Sequence, residues 1–220
     1  MRFVSRLVLL LAGAYLVAAG VSADEAKLPA GPYSIDFSKT PLGKPPEELY
    51  SLNTQAEFKI AEEGGNRFLE LAGNPLDAFG ILFGPEGLTA ADMTGRMFST
   101  SEGKMFPEFG LGASDSGWKV WLIPGQNALV IRKRDDERAR VAYTWKSGTW
   151  TNLRFRLSKG ADGKWLMQGK AWPSDAKEPA EWMISTTDAA APSASRAAVW
   201  GTPYAGTAIR FDDLSVTPVK

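Results

Sequence analysis

Trp145-Lys-Ser-Gly-Thr-Trp-Thr-Asn-Leu-Arg-Phe-Arg-Leu157 decides how this chain is read. Gly148 marks a turn. Beyond it, Leu153, Phe155 and Leu157 alternate with Arg154 and Arg156. A period of two is the pattern of an antiparallel strand with one face on a core and the other in water. Gly169-Lys-Ala-Trp-Pro173, Glu181-Trp-Met-Ile-Ser185 and Ile209-Arg-Phe-Asp-Asp-Leu-Ser-Val216 continue the pattern downstream. Short runs rich in tryptophan and β-branched residues are strand formers.

The same rhythm extends toward the N terminus. It predicts strands at Tyr33–Phe37, Ala56–Glu62, Arg67–Ala72, Phe79–Phe83, Ala91–Ser99, Phe106–Ala113, Trp118–Ile123, Ala128–Arg134 and Ala139–Trp145. Further strands are predicted at Trp150–Ser158, Lys164–Trp172, Trp182–Thr186 and Ile209–Thr217. Gly64-Gly65-Asn66 and Pro124-Gly-Gln-Asn127 are tight-turn signals. Glu47–Leu52 reads as one helical turn, and the Ala/Ser/Pro-rich stretch 187–198 as a long surface loop. Without a long amphipathic helical pattern, the economical fold class is an all-β sandwich or barrel forming a single domain over 33–220.

Arg2 and Arg6 precede an uncharged run, Leu7–Ala23, that ends on Val21-Ser22-Ala23. A basic start, an apolar heart and small residues before a cleavage point describe a secretory signal peptide over 1–23. Residues 24–32 then form a short leader, and the product is secreted or periplasmic. The alternative, a membrane anchor, needs about 20 apolar residues. Cleavage removes two arginines from a balance of 25 basic and 25 acidic residues, leaving a slightly acidic chain. Such a surface does not suit nucleic acid, which requires a basic face.

The chain has no cysteine and no histidine. Disulfides, thiol nucleophiles, Ser-His-Asp triads and His-based zinc sites are therefore excluded. General acid–base work falls to Asp, Glu, Lys or Tyr. A metal would need oxygen ligands, and calcium suits them best.

Alternation places Lys119 and Trp121, Arg132, Arg154 and Arg156, and Gln168 and Lys170 on the faces of their strands opposite the apolar sets. If neighbouring strands carry them together, they form a sugar-binding concave face with an aromatic ring and hydrogen-bonding cations. The alternative is an ordinary solvated sheet face. Leu129-Val-Ile131 marks a strand covered on both sides. Most of the eight tryptophans are read as core. Glu108, in an otherwise apolar run, is the candidate catalytic carboxylate, or else one half of a structural ion pair.

The segments Trp150–Leu157, Gly169–Pro173, Pro179-Ala-Glu-Trp182, the Gly201–Gly206 region and Phe211–Val216 resemble the concanavalin A-like jelly-roll superfamily. Within it they look most like laminin-G-like and 3-keto-disaccharide hydrolase-like domains of bacterial secretomes. The resemblance implies a two-sheet antiparallel jelly roll and a polysaccharide or oligosaccharide partner. It also implies pairing of the first and last strands, with a calcium site drawn from Asp36, Asp212 and Asp213. Adjacent Asp212 and Asp213 point to opposite faces, so at most one of them joins directly, and bonding to a neighbouring backbone amide is the alternative. The Glu-x-Asp-x-x-Glu strand that retaining glucanases of this fold present is missing. Three readings remain open: a glycan-binding domain, a sugar-active hydrolase or lyase using Glu108, and an envelope interaction domain.

Overall fold

The computed structural model describes residues 31–219, so the predicted signal segment and most of the leader lie outside the described residues. Among the described residues, fifteen strands, numbered in chain order, build two antiparallel sheets. The eight-stranded sheet runs β13 (Ile184–Asp188), β12 (Trp165–Pro173), β11 (Thr151–Lys159), β6 (Ala91–Phe98), β15 (Ile209–Pro218), β4 (Asn66–Leu71) and β3 (Phe58–Glu63). Its eighth strand, β1 (Tyr33–Ile35), also pairs with β15, in the register Tyr33↔Val216. The seven-stranded sheet runs β10 (Asp136–Ala142), β9 (Ala128–Lys133), β8 (Trp118–Ile123), β7 (Glu108–Ala113), β14 (Ser195–Thr202), β5 (Phe79–Leu88) and β2 (Tyr50–Ser51). The two sheets close over one core as a jelly-roll sandwich. No helix among the described residues is long and apolar enough to cross a membrane.

The alternation read from sequence defines this core. Leu153, Phe155 and Leu157 of β11 join Phe109 and Leu111 of β7 and Trp118 and Val120 of β8 in one buried cluster. Each fully buried large apolar side chain contributes about 1.5–3 kcal/mol. Glu63 and Asn66 pair across the β3–β4 hairpin, whose two turn residues have φ of 60° at Gly64 and 81° at Gly65. Only glycine takes that backbone at little cost. Val130 is fully buried on the far side of β9, so that strand is covered on both faces.

Two expectations change. Glu47–Leu52 is not a helical turn: it contains β2, paired to β5 through Tyr50↔Leu82. The stretch 187–198 is not all loop, because β13 reaches Asp188 and β14 starts at Ser195. β14 lies inside the seven-stranded sheet between β7 and β5, with Ala197, Ala198 and Val199 buried. Alanine carries little strand propensity of its own. That composition imitates a loop. Of the eight tryptophans, five belong to the buried clusters: Trp118, Trp121 and Trp145 are buried, and Trp165 and Trp200 pack half-buried against them.

Candidate functional site

The seven candidate ligand residues do not share one face. Arg154, Arg156, Gln168 and Lys170 lie on the outer side of the eight-stranded sheet, and Lys119, Trp121 and Arg132 on the outer side of the seven-stranded sheet. These surfaces are the two opposite outsides of the sandwich.

On the eight-stranded sheet the cations are already satisfied. Arg154 donates to both oxygens of Asp92, at 2.8 and 2.7 Å, and to Glu178 Oε1 at 2.7 Å. Arg156 also donates to Asp92, through Nε at 2.8 Å and through its terminal nitrogen. Lys170 is buried and donates to the Pro179 carbonyl at 2.7 Å while pairing with Glu178 at 2.7 Å. Trp182 meets all three cations, with ring distances of 5.6, 5.1 and 4.9 Å. Gln168 sits opposite Arg156 in the register. The segment from Glu178 to Trp182 thus folds back and closes this face. Burial pushes the Asp92 carboxyl up, and the Arg154 and Arg156 bonds more than offset it, so its pKa lies below the usual aspartate value.

The seven-stranded sheet is built differently. One cross-strand row reads Val130, Trp121, Gly110, Trp200 and Gly80. The next reads Arg132, Lys119, Gly112, Ala198, Leu82 and Tyr50. The glycines are required by the indoles. A Cβ on Gly110 would stand 2.3 Å from Trp121 Cε3, and one on Gly80 2.5 Å from Trp200 Cδ1. Both rings therefore lie down on bare backbone. Lys119 Nζ sits over both, 4.9 Å from the Trp121 ring centre and 5.5 Å from that of Trp200. The Arg132 guanidinium lies 5.8 Å from the Trp121 ring. Burial, and secondarily Arg132, holds the Lys119 ammonium below the usual lysine pKa against a smaller opposing pull from Asp135.

Trp121 is 3% exposed. It forms a floor with Ile123, Ala128 and Val130 rather than an open stacking surface. The accessible ring is the half-buried Trp200, with Leu52 beside it against Gly80. Glu108 accepts the Trp121 indole N–H at 2.7 Å. Its oxygen is engaged in orienting that ring.

The three aspartates do not gather around a cation. Asp212 is fully buried, and Arg96 occupies the position between it and Asp213, at 2.6 and 2.8 Å. Asn66 also donates to Asp212 at 3.0 Å, as does the Asp213 amide at 2.8 Å. Burial holds the Asp212 carboxyl above its ordinary pKa despite these partners. Asp36 accepts from the Ser38 amide and hydroxyl at 3.0 and 2.8 Å. Asp36 and Asp213 line one open cavity of about 480 Å³, yet no group of three acidic side chains suited to a metal exists among the described residues. The donor set does not fit calcium, because a guanidinium already neutralises the two C-terminal carboxylates.

Trp200 and the three glycines were not singled out from sequence. Their signal was present in Phe109-Gly-Leu-Gly-Ala113, where bulky and bare positions alternate and one face of the strand is left without side chains. Asp92 and Glu178 carried no such mark, and Trp182 was read only as a fold signal.

No protein-family model and no curated protein sequence matches the chain. Solved structures do match in fold. The Emp47p carbohydrate recognition domain superposes with a TM-score of 0.56 at 15% identity, covering 90% of this chain and 100% of that one. The Crh5 transglycosylase in complex with NAG gives 0.58 at 10% identity, covering 88% and 86%. The VIP36 lumenal domain in its Ca2+/Man3GlcNAc-bound form gives 0.51 at 10% identity, covering 79% and 84%. These likenesses accord with the jelly-roll resemblance and are likenesses of fold.

Proposed function

We propose that this chain is a secreted carbohydrate-binding domain that holds glycan on the outer face of its seven-stranded sheet without cleaving it. The observation that carries the reading is the row Trp121–Gly110–Trp200, in which two indoles lie flat on backbone with Lys119 above both. A half-buried ring beside cationic hydrogen-bond donors suits a pyranose, which offers an apolar face and a rim of hydroxyls. Strands lie about 4.8 Å apart, so Lys119 and Tyr50, four strands away in one row, are separated by roughly 19 Å. That is room for an oligosaccharide rather than a single sugar. The fold neighbours named for carbohydrate recognition support the reading, and the signal-like segment Met1–Ala23 supports export. Neither calcium nor a catalytic Glu108 is part of it.

The test is binding of the chain to a broad glycan array, with and without chelator, alongside Trp200→Ala. A selective, saturable signal that survives chelation and falls about fivefold or more in the variant is expected, since stacking and cation–π contacts of this kind are worth about 1 kcal/mol or more. A blank array overturns the reading. Product accumulating from any bound glycan overturns its non-catalytic part.

A further inference from the structure

Among the described residues, every buried or half-buried lysine and arginine has an ion-pair or hydrogen-bond partner except two. Arg96 pairs with Asp212, Lys133 with Asp188, Arg154 and Arg156 with Asp92, Lys170 with Glu178, Arg67 with Glu62 and Arg210 with Glu63. Arg196 donates to the Gly84 and Glu48 carbonyls. The exceptions are Lys119 and Arg132, and they are direct cross-strand neighbours. Like charges placed opposite each other on neighbouring strands destabilise a sheet. Arg132 Nε is moreover buried with no acceptor. The carboxylate across from it, Glu137, is taken by Arg140, which donates to both its oxygens at 2.7 and 2.6 Å. Their neighbour Gly112 carries no side chain, and a Cβ there would clash with Lys119.

We infer that the Lys119–Arg132 pair is an anion subsite, and that the glycan this face takes is acidic, carrying a carboxylate or sulfate group. The inference rests on the glycan-binding reading and specifies its substrate class. An anion bridging both cations removes the like-charge repulsion. Charge-assisted bonds of this kind are the strong ones. The sugar ring bearing the group then lies toward Trp200, because Lys119 borders both.

The experiment measures affinity for a uronic acid polymer, its fully methyl-esterified form, a sulfated polysaccharide and a neutral one. The free acid or the sulfated polymer is expected to bind at least about tenfold tighter than its uncharged counterpart. Whichever of the two leads identifies the group. In Lys119→Gln/Arg132→Gln that preference collapses to about twofold or less, while Arg154→Gln keeps it. Lys119→Arg, which retains the charge, also keeps it. Should the double variant fail to fold, a salt titration of the unmodified chain decides: binding of the acidic polymer weakens with ionic strength and binding of the neutral one does not. Equal affinity for charged and uncharged forms overturns the inference and leaves the glycan reading standing. Failure to bind any of the four polymers, or any glycan on an array, overturns both.

Discussion

The Trp121 indole N–H reaches the Glu108 carboxylate at 2.7 Å, joining neighbouring strands on the outer face of the seven-stranded sheet. This bond makes Glu108 a positioning residue for the aromatic floor. Glu108→Gln keeps an acceptor and is expected to change stability by less than about 1 kcal/mol, with glycan binding retained. Glu108→Ala leaves a buried donor unpaired and costs about 1–3 kcal/mol. Thermal unfolding of both variants measures the difference. Equal destabilisation by the two would show that the bond is not what Glu108 supplies.

Gly110→Ala tests the bare backbone under the ring. Its Cβ would meet Trp121 Cε3 at 2.3 Å and the Val120 carbonyl oxygen at 2.7 Å. Overpacking of this kind costs about 1–3 kcal/mol. The variant is expected to unfold at lower temperature and to show an altered tryptophan fluorescence spectrum. A wild-type melting temperature would contradict the close approach.

Asp92→Asn separates the two outer faces. It removes the charge that Arg154 and Arg156 share on the eight-stranded sheet, so stability falls by about 1–3 kcal/mol. Glycan affinity of the folded protein should not change. Because the folded-state pKa of Asp92 is lowered, its contribution is full at neutral pH and is lost as pH falls through that lowered value. Acid unfolding of wild type and variant should therefore converge at the acid end. Loss of glycan binding in folded Asp92→Asn would move the site to the other sheet.

Lys119 predicts an alkaline limit to binding. Burial and Arg132 lower its pKa, so it loses its proton at a pH below the usual lysine range. Affinity for an acidic glycan should fall as pH rises through that point, and the fall should be absent in Lys119→Arg. The sign for stability is opposite. The unfolded chain holds the Lys119 proton to higher pH, so between the folded and unfolded pKa values stability rises with pH. A pH series of binding and melting measures both.

Chelation should leave binding and melting temperature unchanged, because Arg96 rather than a metal neutralises Asp212 and Asp213. A shift in either on adding calcium would show that a cation takes part.

Much of the sandwich was readable in particular residues. Leu153, Phe155 and Leu157 announced an inward face, Gly64-Gly65 announced a hairpin, and the missing histidine and cysteine closed whole classes of chemistry. β14 was hidden, since Ala197 and Ala198 carry little strand propensity and look like loop residues, and only the strand order places them buried inside a sheet. Trp200 was hidden with it.

Alternation within a strand states which side chains leave the core, because successive residues point to opposite sides of the pleat. It does not state which outside they reach, since a sandwich has two that face away from each other. Arg154 and Lys119 therefore look alike in sequence. Only the strand order places one against Asp92 and the other against Arg132. Whether a cation is paired or free depends on the neighbour that the tertiary structure brings to it, and along this chain Arg154 and Asp92 are separated by 62 positions.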